Sequence, residues 1–187
     1  PTGSAGFVLA NGSMSSQTSG EGQIRKNLLE ADLVDAIVTL PSQLFFNTGI
    51  PACLWFISRN RSNRKGKILF IDGRNLGKMI TRRNRELTNE DIKKVSTAYH
   101  NFKTQSDEYE DVPGFTKIAI FDEIKEHDFV LTPGRYVGTE AIEEDDEAFE
   151  EKMKRLTTEL ENQFAKSHEL EAKIKANLGK IKVANNE

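Results

Sequence analysis

Two apolar runs, DAIVTL (residues 35–40) and ACLWFIS (52–58), are separated only by PSQLFFNTGIP. Each is rich in β-branched or aromatic residues and reads as a strand buried on both faces. The connection is too short for the helical crossover that a parallel partner requires, so the second run must return antiparallel. Upstream, GFVLA (6–10) is a shorter β-type run closed by the turn pair Asn11-Gly12. After it come the Ser/Gly-rich loop SMSSQTSGEG and a segment with Ile24, Leu28, Leu29 and Leu33 at helical spacing. The order strand, helix, strand makes the first two strands parallel. The fold class is therefore α/β, with parallel strands ending in an antiparallel hairpin. Sheets of this kind hold ligands at the carboxyl ends of their parallel strands. Both loops leave from those ends, so Phe45 and Phe46 are expected on the functional edge.

Downstream, residues 68–71 form another apolar run, followed by a Gly-flanked basic turn. Thr88 and Asp91 have the spacing of a capping box, with Asp in place of the usual Glu, and open a helix. FTKIAIFDEIKEHDFVLTPGRYVG reads as a short strand, a brief helix over 122–126 and an extended FVLTPGRYV. From Phe149 the period changes. Phe149, Met153, Leu156, Leu160, Leu170, Ile174 and Ile181 follow a 4-3 repeat, interrupted at Gln163 and Ser167. This spacing predicts a long amphipathic helix with a weak coiled-coil seam. Such a stripe needs a partner helix or must fold back on its own domain. The chain is expected to divide into 1–87, 88–139 (a helix and a small α/β extension) and 140–187 (an acidic hinge and the long helix).

The net charge of −3 conceals an uneven distribution. Arg59, Arg61, Arg64, Lys65, Lys67, Arg74, Lys78, Arg82, Arg83 and Arg85 face the lone carboxylate Asp72 in the middle of the chain. Glu143, Glu144, Asp145, Asp146, Glu147 and Glu150 reverse the sign in the hinge. The basic cluster reads as a solvated face or as a phosphate-binding one. Cys53 is the single cysteine, so no internal disulfide forms, and a reducing, cytoplasmic setting fits. Its apolar surroundings mark a small buried hydrophobe rather than a nucleophile. His100, His127 and His168 lack ligand spacing, and no metal is expected. No apolar run is long enough to span a bilayer, and no secretory signal is expected. The abrupt start at Pro1 reads as a piece of something longer.

The stretch GFVLANGSMSSQTSGEGQIRKNLLEADLVDAIVTLPSQLFFNTGIPACLWFISRN resembles the later half of the catalytic domain in modification subunits of type I restriction-modification systems. These are adenine-N6 DNA methyltransferases that use S-adenosylmethionine. The likeness continues through KILFIDGRNLG and FVLTPGRYVG to the hinge, and LFFNTGIPACLWF is its most specific part. It implies the later half of a Rossmann-like S-adenosylmethionine-dependent methyltransferase sheet with a C-terminal helical extension. GFVLA would be the fifth strand of the parent sheet and the hairpin its sixth and seventh.

In this family the cofactor pocket lies on the early strands, and the catalytic Asn-Pro-Pro-(Phe/Tyr) run follows the fourth. No Asn-Pro-Pro is present here. The resemblance therefore implies that no catalytic residue lies in this chain and that both sites lie upstream of Pro1. S-adenosylmethionine would belong to the full-length parent, with none binding this fragment, and the fragment alone would be inactive. An aromatic after the sixth strand stacks on the extruded base in such enzymes. Phe45 is the choice, with Phe46 turned toward the core; alternatively both are core. Asn47, Thr48 and Gly49 would form the target loop, or a turn preparing Gly49 for positive φ. Arg61, Arg64, Lys65, Arg82, Arg83 and Arg85 would contact DNA phosphates. Implied partners are double-stranded DNA, the specificity subunit (through the C-terminal helix) and the motor-nuclease restriction subunit, with no membrane. A reading from another class is a non-catalytic assembly module that pairs through its C-terminal helix.

Overall fold

The run that reads as a doubly buried strand is one: every residue from Val34 to Thr39 is buried, and this strand sits inside a mixed sheet. The computed structural model describes residues 2–105, 109–139 and 149–179. The chain divides into two compact units, Pro1–Ala141 and Ile142–Glu187.

In the first unit the elements are β1 (Ser4–Ala10), α1 (Glu21–Glu30), β2 (Val34–Thr39), β3 (Ala52–Ser58) and β4 (Lys67–Asp72). A small hairpin of β5 (Lys78–Met79) and β6 (Arg85–Glu86) follows, then α2 (Asn89–Thr104), β7 (Thr116–Ile120) and α3 (Phe121–Glu126). The sheet order is β1-β3-β2-β4-β7. β3 is antiparallel to β2, with Thr39 opposite Cys53, as the short connection requires. β1 lies on the other edge of β3, also antiparallel, with Ala10 opposite Ala52. β1 and β2 thus run the same way but are not neighbours. The expected sheet ending in a hairpin is corrected: the returning strand is inserted between the two, and the sheet continues through parallel β4 and antiparallel β7. Burial explains this placement. Cys53 and Trp55 are fully or nearly fully enclosed, and a strand at that depth needs backbone partners on both edges.

Helices cover both faces. On one, α1, α3 and a 3₁₀ turn at Pro133–Arg135 enclose Ile37, Trp55, Phe70 and Leu131. The Tyr136 ring stacks on Phe70 at 4.0 Å, and its hydroxyl donates to the Val130 carbonyl. The expected extended FVLTPGRYV is thus broken by the turn that Pro133 initiates. On the other face, Phe102, Val95 and Tyr99 of α2 pack over Ala36, Val38, Leu69 and Ile71. The capping box forms as the sequence indicates. The Asp91 N–H donates to Thr88 Oγ1 at 3.1 Å, and the Thr88 N–H donates to Asp91 Oδ2 at 2.8 Å.

The largest correction concerns Arg61 and Arg64, expected on DNA phosphates. Both are buried, at 3% and 4% exposure. A register shift between Val34 and Ala36 accompanies a fully buried Asp35, whose carboxylate meets α2. Arg64 grips that carboxylate with two bonds, Nε to Oδ1 at 2.7 Å and Nη2 to Oδ2 at 2.9 Å. The Tyr99 hydroxyl donates to Oδ2 at 2.9 Å. Arg61 pairs with Asp32 Oδ1 at 2.9 Å and donates to the carbonyls of Val34 and Lys67. A hydrogen-bonded Asp35 raises the Arg64 guanidinium pKa, whereas burial lowers that of Arg61 against the pull of Asp32 and Asp35. These cations neutralise Asp32 and Asp35, so no phosphate can reach them. Tyr99 is pushed up to about 12 by burial and by the adjacent Asp35.

The second unit contains α4 (Phe149–Leu178). Met153, Leu156, Leu160, Leu170 and Ile174 of the expected seam are all exposed on it, while Ile181 and hinge residues 140–148 lie outside the described residues. The side chain of Phe149, the first helical residue, lies outside them as well. Phe164 and Leu178 are also exposed, and the strict 4-3 repeat passes over them. At 3.6 residues per turn all seven exposed apolar residues fall within an arc of about 120°, a straight-helix stripe. Lys173 with Glu169 and Lys175 with Glu171 brace the helix at i, i+4 spacing, at 2.5 and 2.6 Å.

Removing one partner of the buried pair leaves the other charged and unpaired. Asp35→Asn should therefore destabilise the fold by about 3–5 kcal/mol, read from the urea midpoint. Tyr99→Phe should cost roughly 1.5–3 kcal/mol. The raised Tyr99 pKa means the unfolded chain deprotonates first as pH rises. Stability linked to this hydroxyl is thus complete below pH 10.0, its ordinary value, and declines as pH climbs toward about 12. Tyr99→Phe should flatten that decline.

Candidate functional site

Because β1, β2 and β4 share one direction, their carboxyl ends meet on one rim of the sheet, where Ala10, Thr39 and Asp72 stand. Three segments leave from it: the Asn11–Met14 turn, the loop 41–51 and the segment 73–86. The Gly73 N–H donates to the Thr39 carbonyl at 3.0 Å and the Leu40 N–H to the Ala52 carbonyl at 2.9 Å, so the segments start from fixed points. Gly73 allows that approach, since a Cβ there would lie 2.5 Å from the Thr39 oxygen.

The loop 41–51 closes on itself. The Gln43 N–H donates to the Gly49 carbonyl at 3.3 Å, and Phe45 and Thr48 form a backbone bridge. The Ile50 N–H donates to Thr48 Oγ1 at 3.1 Å. The left-handed residue is Gln43, with φ 63°, rather than the expected Gly49. This loop corrects the assignment of its aromatic pair. Phe46, expected to face the core, is 89% exposed, while Phe45 is half-buried. A hairpin-like bridge of four residues puts its second residue at the tip, and Phe46 occupies that place. Asn47 and Gly49 are exposed and Thr48 is half-buried.

The segment 73–86 carries the cations of this rim. Arg82 and Arg83 are exposed at the tip of the β5–β6 hairpin, and neither side chain has a partner among the described residues. Met79 and Ile80 beside them are exposed as well. Arg85 differs from its expected role. It is half-buried, and its Nη1 donates to the carbonyls of Leu76 and Gly77 at 3.0 and 3.2 Å, so its guanidinium serves the backbone. Lys65 is exposed, but with Arg61 and Arg64 it belongs to the connection from β3 to β4, on the opposite edge of the sheet.

One group on the rim escaped the sequence reading. Asp72 ends β4 and is nearly buried, with Thr39 Oγ1 donating to its Oδ1 at 3.0 Å. Arg74 Nε reaches both carboxylate oxygens at 2.9 Å, and Nη2 reaches Oδ2 at 2.5 Å. Burial works to raise the Asp72 pKa, but the bonds from Arg74 and Thr39 outweigh it and hold the carboxyl below its ordinary value. Gly134 fits over this pair, since a Cβ there would sit 2.7 Å from Arg74 Nη2. The pair therefore seats the Pro133–Arg135 turn on the rim, and the exposed Arg135 comes with it. The sequence signal was Asp72-Gly73-Arg74 directly after an apolar strand.

Gly20 and Gly22 open α1, and the Gln17 side-chain amide lies over Gly22, where a Cβ would be 1.8 Å from its Oε1. Both carboxylate oxygens of Asp72 are engaged, Oδ1 by Thr39 and Arg74 and Oδ2 by Arg74. Among the described residues no group of His, Cys, Asp and Glu is placed to hold a metal ion, and no helix is long and apolar enough to cross a membrane. Cys53 is buried beside the Leu9 carbonyl at 3.4 Å, and burial pushes its thiol pKa up, which suits packing rather than attack.

Comparison with known proteins agrees with this architecture. Residues 1–145 match the family described as N-6 DNA Methylase. The chain is 56% identical over 179 residues to the type I restriction enzyme HindI methylase subunit of Haemophilus influenzae, covering 96% of this chain and 40% of that protein. It is 45% identical over 177 residues to the MjaIX methylase subunit of Methanocaldococcus jannaschii, covering 94% of this chain and 31% of that protein. The crystal structure of a type I restriction-modification system methyltransferase subunit from Streptococcus thermophilus matches with a TM-score of 0.64 at 34% identity, over 73% of this chain and 27% of that one. The chain thus spans less than half the length of each of these relatives. A mixed sheet with its strand ends gathered on one rim, and a family match over most of its length, establish that the chain belongs to the N-6 DNA methylase family.

Proposed function

We propose that this chain acts as the later part of a type I modification subunit, presenting the target adenine and the DNA backbone to a methyltransferase centre built by other residues. The observation that carries this reading is Phe46, 89% exposed on the same rim as Arg82 and Arg83, which have no side-chain partner among the described residues. A large aromatic surface in water costs free energy unless it has a partner, and a base swung out of the duplex is a flat one. Phe46 stacks on the extruded adenine. Phe45, half-buried behind it, supports the loop, and Asn47, Thr48 and Gly49 line the approach. Stacking of this kind is worth about 1–3 kcal/mol per base, which offsets much of the cost of extrusion. Arg82 and Arg83 take phosphates and position the duplex without reading its sequence.

β1, β2 and β3 correspond on this reading to the fifth, sixth and seventh strands of a Rossmann-like methyltransferase sheet. The insertion of β3 between two strands of like direction supports that correspondence. The methyl donor, S-adenosylmethionine, supplies the transferred group when bound to the full-length subunit. This chain's own residues hold the base, the loop and the backbone. The apolar stripe of α4 docks on helices of the specificity subunit, and the assembled complex acts with the motor-nuclease subunit on double-stranded DNA in the cytoplasm. Support for this comes from exposed Met153, Leu156, Leu160, Phe164, Leu170, Ile174 and Leu178 along a single stripe.

Two measurements test the reading in a full-length modification subunit carrying this segment. Phe46→Ala should lower methyl transfer by roughly 10- to 100-fold, in proportion to lost stacking, and should dim a 2-aminopurine target-base signal. Phe45→Ala should affect both far less. Methylation at the wild-type rate by Phe46→Ala would remove the stacking role. Separately, Leu156→Asp with Leu160→Asp should abolish co-purification with the specificity subunit while the unfolding midpoint of the methylase portion stays put. A retained complex would move the interface off α4.

A further inference from the structure

The 77–86 hairpin is bound tightly at its base, and at its tip the Arg82 and Arg83 side chains have no partner among the described residues. At the base, Gly77 donates its N–H to Asp91 Oδ2 at 3.1 Å, the same carboxylate oxygen that caps α2. Gly77 has φ 80°, and a Cβ there would lie 2.7 Å from the Glu86 carbonyl, so this junction requires glycine. Arg85 crosses the base and donates to the Leu76 and Gly77 carbonyls. Its own N–H donates to the Gln43 carbonyl at 2.8 Å. Gln43 is the left-handed residue at the neck of the Phe46 loop, held on its other side by Gly49. At the tip, Thr81 Oγ1 accepts from the N–H groups of Arg83 and Asn84 at 3.2 and 3.0 Å, fixing the turn that carries the two exposed arginines.

One backbone bond, from the Arg85 N–H to the Gln43 carbonyl, thus ties the hairpin to a residue three before Phe46. We propose that the hairpin is a strut that sets the target-base loop by the position of the DNA backbone. Arg82 and Arg83 bind adjacent phosphates of duplex DNA, and Arg85 is the positioning residue: its guanidinium holds the hairpin base rigid on the Leu76 and Gly77 carbonyls, and its backbone N–H carries the hairpin's location to the loop. The proposal rests on the DNA-methylation reading above and assigns Arg85 a role that involves no phosphate contact. Two neighbouring guanidiniums with no carboxylate partner among the described residues, on the rim that carries Phe46, suit a polyanion that also supplies a flat base.

The test uses the full-length subunit in its complex, with 2-aminopurine at the target position. Arg82→Ala with Arg83→Ala should make the slope of log binding constant against log salt shallower by about 2 and weaken binding roughly 10- to 100-fold at 0.1 M salt. It should also lower the flipped-base signal at saturating DNA. Arg85→Met should leave the salt slope at its wild-type value while lowering the flipped-base signal at saturation several-fold. Arg85→Lys, able to donate to the same carbonyls, should restore part of that signal. An unchanged slope in the tip variant overturns the phosphate contacts. A slope shallower by about 1, or a wild-type signal, in Arg85→Met overturns the strut. A wild-type complex that binds DNA and gives no flipped-base signal overturns the methylation reading, and the strut with it.

Discussion

The fold turns on one buried charge cluster, in which Asp35 meets both Arg64 and Arg61. Asp35 sits at full burial in the strand on which the sheet is built, and a carboxylate there is tolerable only if it is neutralised and its lone pairs are filled. Arg64 supplies two aligned bonds and Tyr99 a third. Those three contacts join the start of β2, the connection entering β4 and the middle of α2. Arg61 adds the carbonyls of Val34 and Lys67, so the edge of the sheet opposite the rim is closed by guanidinium groups. With that edge fastened, β2 and β4 keep the parallel register that brings Thr39 level with Asp72. The rim, where the loops gather, depends on it.

Two kinds of cation therefore coexist in one basic stretch of sequence. Arg61, Arg64 and Arg74 face carboxylates that lie far from them or just beside them in the chain, and they serve the fold. Arg82 and Arg83 are held outward by a turn and face none among the described residues. Arg85 stands between these roles, tied by its side chain to its own hairpin and by its N–H to the neighbouring loop. Charge counting cannot separate such residues, because the difference lies in what tertiary contacts bring to each.

The same distinction explains what was legible in the sequence. The identity and order of the main strands, the antiparallel return after PSQLFFNTGIP and the Thr88–Asp91 cap all follow from local periodicity, connection length and capping chemistry. Those are short-range constraints. The place of β3 between β1 and β2 was not readable, since sheet order depends on which edges need partners once the layers are packed. Nor was the burial of Arg61 and Arg64, because their partners Asp32, in the turn after α1, and Asp35, in β2, are distant in the chain. Phe46 was misassigned because alternation along a strand does not extend into a turn. There a backbone bridge, not the pleat, decides which ring points outward. Phe164 and Leu178 escaped because a 4-3 repeat was imposed on a helix whose stripe follows 3.6 residues per turn.

The account stands or falls on the separation of structural from DNA-facing arginines. Arginine modification by phenylglyoxal, read by mass spectrometry on the full-length complex with and without duplex DNA, tests it directly. The account predicts that Arg82 and Arg83 react in the free complex and are protected by DNA, while Arg61 and Arg64 stay unmodified in both. Modification of Arg61 or Arg64 in the native complex with protection on DNA binding, or equal reactivity of Arg82 and Arg83 with DNA present, would contradict it.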